Sequence, residues 1–339
     1  FDPSRRAAEI DPVFDDLAAF LPDFLAAVLA EQERRPAPTP MSGEFPIGAQ
    51  KALGERVVRQ IGFDFDRGRL DRSAHPFCIG VADDARMTTR YDTEDPTKAL
   101  MAITHETGHA LYNLNLPRAW ARQPVGRARG MTIHESQSLS IEMQACRSRA
   151  FIGWLAPVLR EHFGVEGPRW EAANLYRLAT RVGRSHTRVN ADEVTYPAHV
   201  ILRYRLERRL IAGELAVADL PEAWGATMES LLGIRPPTNR QGVLQDIQWY
   251  EGAFGYFPTY TLGALTAAQL GEAARAAHPD LDERLGAGDF AALTGWMRDN
   301  IHALGRLYET DALIERATGQ PLSTEPFKRH LTARYLEGG

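Results

Sequence analysis

The sequence predicts a mainly α-helical protein with a small β-hairpin placed beside one functional helix. Three observations carry that expectation. Apolar residues recur at three- and four-residue spacing along most of the chain. The pattern changes to short strand-forming runs only between residues 63 and 92. Immediately after them, residues 104–112 read Thr-His-Glu-Thr-Gly-His-Ala-Leu-Tyr, which places His105, Glu106 and His109 in an amphipathic helix free of proline from Leu100 to Tyr112.

Length and charge set the limits. At 339 residues the polypeptide can bury a large core, and length alone allows two domains or one elongated helical domain; a single domain, residues 1–339, is expected, with N-terminal helices at 1–62 and the core that carries the motifs at 63–339. The net charge of -5 is spread along the chain, with basic clusters no longer than Arg203-Tyr204-Arg205, which argues against nucleic acid or an anionic membrane surface as a partner. No apolar run reaches the length needed to span a bilayer. Cys78 and Cys146 are the two cysteines, neither in a Cys-x-x-Cys pair. Isolated thiols fit a reducing compartment and exclude a cysteine-rich zinc module. The sequence begins Phe1-Asp2-Pro3 rather than at methionine, so the lack of a signal peptide carries little weight, and cytoplasm is expected only as the default.

Taken in order, residues 11–34 carry Phe14, Leu17, Leu21, Leu25 and Val28 at helical spacing, with Pro22 expected to kink or split the run. The proline-rich stretch 35–40 ends it, and a second helix is expected over 47–61. Residues 75–81 and 86–91, joined by Ala82-Asp83-Asp84-Ala85, read as the hairpin. Its edge offers either a place for an extended peptide to add as a strand or a lid on the helices.

The helix that follows carries the chemistry. His105 and His109 lie one turn apart on one face, a separation that lets two imidazoles bind one metal ion, and Glu106 beside them can reach a metal-bound water without being consumed as a ligand. A third protein ligand is required. Beyond Pro117 and a polar loop over 120–130, residues 132–138 enter a helix that offers Glu135 and Glu142 two turns apart on one face. Both are candidates; Glu135, beside polar neighbours at the helix start, is preferred. His134 competes with them, although adjacent side chains diverge on a helix.

Further on, Arg188 precedes Asp192, a candidate helix cap, and a helix expected over 194–213 tolerates Pro197 only near its first turn or as a kink. Residues 242–263 mix aromatics with glycines, a composition suited to a pocket wall with phenolic hydroxyls as donors.

These residues resemble the carboxypeptidase Taq (M32) family of metallocarboxypeptidases. Six segments carry the resemblance in the family's order: His75-Pro76-Phe77, Asp84-Ala85-Arg86-Met87-Thr88, residues 105–109, His134-Glu135-Ser136-Gln137, residues 188–192, and residues 242–249. They span most of the chain from about Phe63 onward. The resemblance implies a mostly helical metallopeptidase fold with a deep active-site groove and a small sheet beside the metal helix. It further implies a zinc-dependent exopeptidase of broad specificity that removes single residues from peptide C-termini, working as a homodimer. Position by position, His105, His109 and Glu135 match the metal ligands, with Zn2+ or Co2+ as the ion, and Glu106 the catalytic base. Two departures stand out: family members carry a longer helical portion ahead of the matched region, and Gln248 occupies a position where the family has histidine, so it can donate a hydrogen bond but cannot carry a proton.

The chemistry expected is attack by a metal-activated water with Glu106 moving the proton, and with Tyr256 or Tyr260 as candidate donors to the oxyanion. A free terminal carboxylate calls for an arginine fork, first Arg188 and second Arg86, which Asp84 can tie down instead. His75, Gln245 and Gln248 complete the candidate substrate-binding residues, without individual roles. The rival expectations are an oligoendopeptidase with the same metal chemistry and a non-catalytic metal- or peptide-binding remnant. An intact Glu106 argues against the second.

Overall fold

Helix α1 (Ala7–Arg34) runs through Pro12 and Pro22 without interruption. An interior proline costs about 3 kcal/mol, which is why the sequence allows either a kink or a split at Pro22; of the two, the single helix excludes the split. The buried stripe of Ile10, Phe14, Leu17 and Leu21 continues beyond it as Phe24, Leu25 and Val28. Each such side chain contributes about 1.5–3 kcal/mol when buried, so the three beyond the proline offset its cost. Helix α2 (Ile47–Ile61) has the expected bounds and ends on Gly62, whose φ of 112° is left-handed.

The structure, a computed structural model, describes residues 1–337. After α2 the chain forms β1 (Gly68–Arg72), β2 (Phe77–Val81) and β3 (Asp84–Thr89), in the order β1-β3-β2. Strands β2 and β3 make the expected antiparallel hairpin, with Cys78 opposite Met87. Strand β1 pairs with β3 in parallel, Leu70 opposite Met87. The sequence reading missed it because Leu70 is its one large apolar side chain, set among charged residues.

Helix α3 (Pro96–Leu114) follows. Asp95 caps it by accepting from the Thr97 amide, and Pro96 sits where its missing N–H is of no consequence. Then come α4 (Met131–Leu139), a π-helical segment (Ser140–Cys146), α5 (Arg149–Phe163) and α6 (Ala172–Ala179). The run expected as one helix from residue 132 is thus three pieces. Next are α7 (Tyr196–Ile211), α8 (Leu220–Leu232), α9 (Pro258–Ala277), α10 (Leu281–Gly286), α11 (Ala291–Asn300), α12 (Thr310–Thr318) and α13 (Glu325–Thr332). Pro197 falls in the first turn of α7, where it is tolerated, and Asp192 caps the turn before it, accepting from the amides of Val194 and Thr195. No described helix is long and apolar enough to cross a membrane.

The chain divides into two compact units. One comprises Phe1–Ala37, Thr180–Leu265 and the chain from Ser323 onward; the other comprises Pro38–Ala179 and Thr266–Leu322. In the first, α1 packs on α7 and α8, and Trp224 and Met228 of α8 are buried. In the second, the sheet residues Leu70, Ala85 and Met87 pack with Val58 of α2 and with Ile103, Ala110 and Leu114 of α3. The other side of α3 enters a larger core, where Leu100, Leu111 and Tyr112 join Ile133, Phe151 and Leu155. Helix α3 is therefore held on two sides by apolar packing, which fixes the direction of its polar face.

Candidate metal centre

The polar face of α3 presents His105 and His109 one turn apart, with ring centroids separated by 5.0 Å and planes nearly perpendicular. Helix α4 is brought against it at Gly108, where any side chain would collide with the main chain of Gln137 and Ser138. That approach carries Glu135 to the two imidazoles. Its Oε1 is 3.8 Å from His105 Nε2 and its Oε2 is 3.5 Å from His109 Nε2.

The donor set fits a divalent ion. One ligand atom from each of His105, His109 and Glu135 lies within 4.8 Å of the others, whereas ligands at bonds of about 2.1 Å around a tetrahedral zinc are roughly 3.4 Å apart. Two nitrogens and one carboxylate are zinc's usual company in a catalytic site. Among the described residues, this is the group of His, Cys, Asp and Glu side chains that could hold a metal ion.

What orients the two imidazoles lies behind them. His105 Nδ1 is 2.9 Å from Glu142 Oε2, and His109 Nδ1 is 2.6 Å from His134 Nδ1. Each contact engages Nδ1 and leaves Nε2 turned to Glu135. An Nδ1–H on His105 donates to the carboxylate; an Nδ1–H on His109 donates to the Nδ1 lone pair of His134. His134 serves as acceptor because burial, followed by the neighbouring His109, pushes its pKa well below the ordinary histidine value and keeps the ring neutral. Its ring packs edge-on against Tyr112, whose hydroxyl accepts from the Arg129 amide.

Charge is distributed to match. Burial opposes ionisation of Glu142, but Arg147 and His105 outweigh it and hold the carboxyl down to about 2. Glu135 is also lowered, burial again being overcome by His105 and His109. His105 is raised to about 10 against its own burial, chiefly by Glu135 and Glu142. The same negative charge that attracts a proton to this imidazole attracts a metal cation, and the two compete for Nε2.

Glu106, adjacent to His105, is 6% exposed and forms no part of the candidate ligand triplet. Burial raises its pKa, only partly countered by His105 and His109. A carboxyl moved upward in this way holds a proton more readily than an ordinary one, which suits a group that must take and return it. Strand β2 runs close by: the Cys78 thiol is pushed up to about 12, first by burial and then by the Glu106 charge. A cavity of about 650 Å³ opens here, lined by His105, Glu106, Glu142 and Arg147 on its polar side and by Met101, Leu155 and Leu159 on its apolar side.

The remaining candidates fall into two places. His75 and Arg86 are in the same unit as the triplet, both exposed, and Arg86 Nε donates to Asp84 at 2.9 Å, the tie that its position in the hairpin suggested. Arg188, Gln245, Gln248, Tyr256 and Tyr260 are in the other unit and form one cluster there. Arg188 Nε donates to Asp246 at 2.9 Å, its Nη1 to the Tyr196 hydroxyl at 2.7 Å, and its main-chain amide to Gln245 Oε1 at 2.7 Å. Asp246 takes a second arginine on its other oxygen, Arg203 Nε at 2.6 Å. Gln248 donates to the Tyr260 hydroxyl at 3.2 Å, and the Tyr256 and Tyr260 rings are 5.1 Å apart. The guanidinium of Arg188 lies 5.1 Å from the Tyr260 ring centroid, so burial has made this arginine part of a built cluster rather than a surface charge.

The sequence reading passed over Arg147 and Tyr196, and it weighed Glu142 and His134 as ligands rather than as partners of ligands. For Glu142 a signal was present, since it shares a face with Glu135; for Arg147 none was, because an α-helix would turn it away.

Comparison with known proteins identifies the family. The model of the carboxypeptidase Taq (M32) metallopeptidase family matches residues 1–335, reaching well ahead of Phe63. Thermostable carboxypeptidase 1 of Thermus thermophilus is 38% identical over 336 residues, covering 99% of this chain and 66% of the relative. Carboxypeptidase 1 of Bacillus subtilis is 34% identical and covers 99% and 67%. Among solved structures, Trypanosoma cruzi metallocarboxypeptidase 1 superposes with a TM-score of 0.96 at 39% identity, covering 99% of this chain and 70% of that one. The M32 carboxypeptidase of Deinococcus radiodurans gives 0.93 at 40%, covering 99% and 68%. The chain spans about two thirds of the length of the curated relatives it matches. With a family model matched from its first residue to Tyr335 and relatives above 30% identity, this chain belongs to the carboxypeptidase Taq (M32) family of metallopeptidases.

Proposed function

We propose that the chain is a zinc-dependent carboxypeptidase that hydrolyses the C-terminal bond of peptides with broad specificity. The observation that carries this reading is the convergence of His105 Nε2, His109 Nε2 and the Glu135 carboxylate beside a buried Glu106 that is not consumed as a ligand. Zinc held by that set would act as a Lewis acid, bringing the pKa of water into the neutral range and polarising the scissile carbonyl; cobalt would serve similarly.

The protein's own part follows from its residues. Glu106, raised by burial, takes the proton from the attacking water and returns it to the leaving amine. Tyr256 and Tyr260 are the candidate hydroxyl donors to the oxyanion. Arg188 is first choice for the substrate's terminal carboxylate, because a guanidinium oriented by Asp246 and Tyr196 is a fixed fork. Arg86, already paired with Asp84, is second; His75, Gln245 and Gln248 are the further substrate-binding candidates. The outer edge of β2 gains no strand partner among the described residues, and an extended peptide adding there would run past Cys78 close to Glu106. Cys78 and Cys146 are free thiols, which suits a reducing cytoplasm. The homodimer implied by the family is tested by sedimentation.

The test is to incubate the chain with a plain peptide and its C-terminally amidated twin, with and without chelator, and to identify products by mass. The expected result is stepwise loss of single C-terminal residues from the free peptide alone, abolished by chelator. Internal cleavage of both peptides would favour an oligoendopeptidase. Metal uptake with no cleavage would favour a binding protein.

A further inference from the structure

We propose that Arg147, brought over Glu142 by the π-helical turn, is a positioning residue for the metal centre: it holds the carboxylate that orients His105. This inference rests on the metallopeptidase reading.

The turn is what makes the contact available. In an α-helix successive residues advance by about 100°, so positions five apart diverge by roughly 140°. A π-helix bonds i to i+5 and brings such positions onto nearly the same face. The Arg147 amide donates to the Glu142 carbonyl at 2.9 Å, the i+5 bond itself. Local chemistry favours it: the hydroxyls of Ser136, Ser138 and Ser140 donate back to the carbonyls of Ile133, Glu135 and Ser136, and such back-bonding perturbs the regular ladder.

The side chains then divide the work. Arg147 Nε and Nη2 donate to Glu142 Oε1 at 3.1 and 2.9 Å, and Nη1 donates to the Ala179 carbonyl at 2.7 Å. Glu142 Oε2 is left for His105 Nδ1 at 2.9 Å. One carboxylate oxygen is thus clamped and the other aims the ligand. With Ala179 as an anchor, the guanidinium cannot simply follow the carboxylate if it swings. Removing a partner behind a metal-binding histidine typically costs 10- to 100-fold in metal affinity.

A competing role exists, because Arg147 also lines the cavity beside Glu106 and could contact a substrate there. Metal affinity separates the two. Arg147→Ala, Arg147→Lys, Glu142→Gln and the Arg147→Ala/Glu142→Gln double variant of the whole chain are stripped of metal. Zn2+ affinity is then measured against a chromophoric chelator at fixed pH, Co2+ binding by its visible spectrum, and folding by thermal unfolding of the metal-free protein. The expected result is a zinc affinity roughly 10- to 100-fold weaker in Arg147→Ala. Arg147→Lys should fall in between, the Co2+ bands should shift, and the double variant should be little worse than the poorer single one, since both act through one contact.

Parent-like zinc affinity and Co2+ spectrum in folded Arg147→Ala would overturn the proposal; should that variant not fold, the same outcome in Arg147→Lys does so. Unchanged metal binding with a raised KM for peptides would overturn it in favour of substrate contact. Failure of the parent chain to bind zinc or cobalt would overturn the metallopeptidase reading as well, so the two failures are distinct.

Discussion

Gly108 of α3 faces the main chain of Gln137 in α4 so closely that a Cβ at residue 108 would lie 2.3 Å from the Gln137 carbonyl oxygen and 2.5 Å from Ser138 Cα. Both obstacles are backbone, so no rotamer change relieves the clash. Gly108→Ala must therefore push the helices apart by on the order of 1 Å, and a metal site tolerates only about 0.5 Å of misplacement. Because Gly108 adjoins His109 and Gln137 follows Glu135 by two residues, the shift acts on both candidate ligands. We expect zinc binding at least tenfold weaker and a loss of about 1–3 kcal/mol in stability from overpacking. Zinc titration and thermal unfolding check this; an alanine variant with parent affinity would show that the close approach does not set the ligand geometry.

Glu106 is predicted to separate chemistry from metal binding. Glu106→Gln keeps shape and hydrogen-bonding capacity and removes the ability to take a proton. Turnover should fall by roughly 10²–10⁴-fold, the usual worth of a positioned acid-base group. Metal content and KM should stay near those of the parent. Parent-level kcat in the glutamine variant would sink the assignment.

Much of this site was readable in advance, for a definite reason. His105, Glu106 and His109 are spaced by the helical repeat itself, so the sequence places them on one face before any tertiary contact is known. Glu135 was preferred over Glu142 on its neighbours, and the structure turns its carboxylate to both Nε2 atoms. What escaped depends on departures from regular geometry. The π turn brings Arg147 to Glu142, five residues away, and no α-helical reading pairs them. Parallel β1 escaped because Leu70 is its only sizeable apolar side chain, and α1 proved continuous because burial on both sides of Pro22 outweighs the lost hydrogen bond. The partners that bury Arg188, Asp246 and Tyr196, lie 58 and 8 residues away, at separations no local pattern announces.

Arg188 gives a prediction about substrate choice. Its guanidinium is oriented by Asp246 and Tyr196, and lysine offers a point charge in place of that planar fork. In Arg188→Lys we expect kcat/KM for free peptides to fall roughly 10- to 100-fold, the worth of about 1.5–3 kcal/mol for a hydrogen bond to a charged group. The preference for free over amidated peptides should shrink by a similar factor. Competition between a labelled peptide pair measures that ratio directly. An undiminished preference would move carboxylate recognition to another residue, Arg86 being the next to substitute.

His302 governs a part of the acid stability. Its Nε2 is 2.9 Å from Gln137 Oε1 and its Nδ1 is 3.2 Å from the Asn115 side-chain amide, so a neutral ring with its proton on Nε2 satisfies both contacts. A second proton on Nδ1 would confront a donor. Burial, and after it Arg298, brings the pKa down from 6.5 to about 3. The folded pKa is therefore below the unfolded one, and between these values the unfolded chain binds the extra proton. Stability is fully present above pH 6.5 and falls as the pH drops toward 3, by up to about 1.4 kcal/mol per pH unit from this group. His134 and His199, both also lowered, add to the same slope. His302→Gln should start less stable at pH 7, having lost a fitted ring, yet lose less between pH 6.5 and pH 4. Urea midpoints across that range compare the two slopes. A glutamine variant that weakens with acid as steeply as the parent would mean that His302 takes up its proton without unfolding, and that the Gln137 and Asn115 contacts do not hold it neutral.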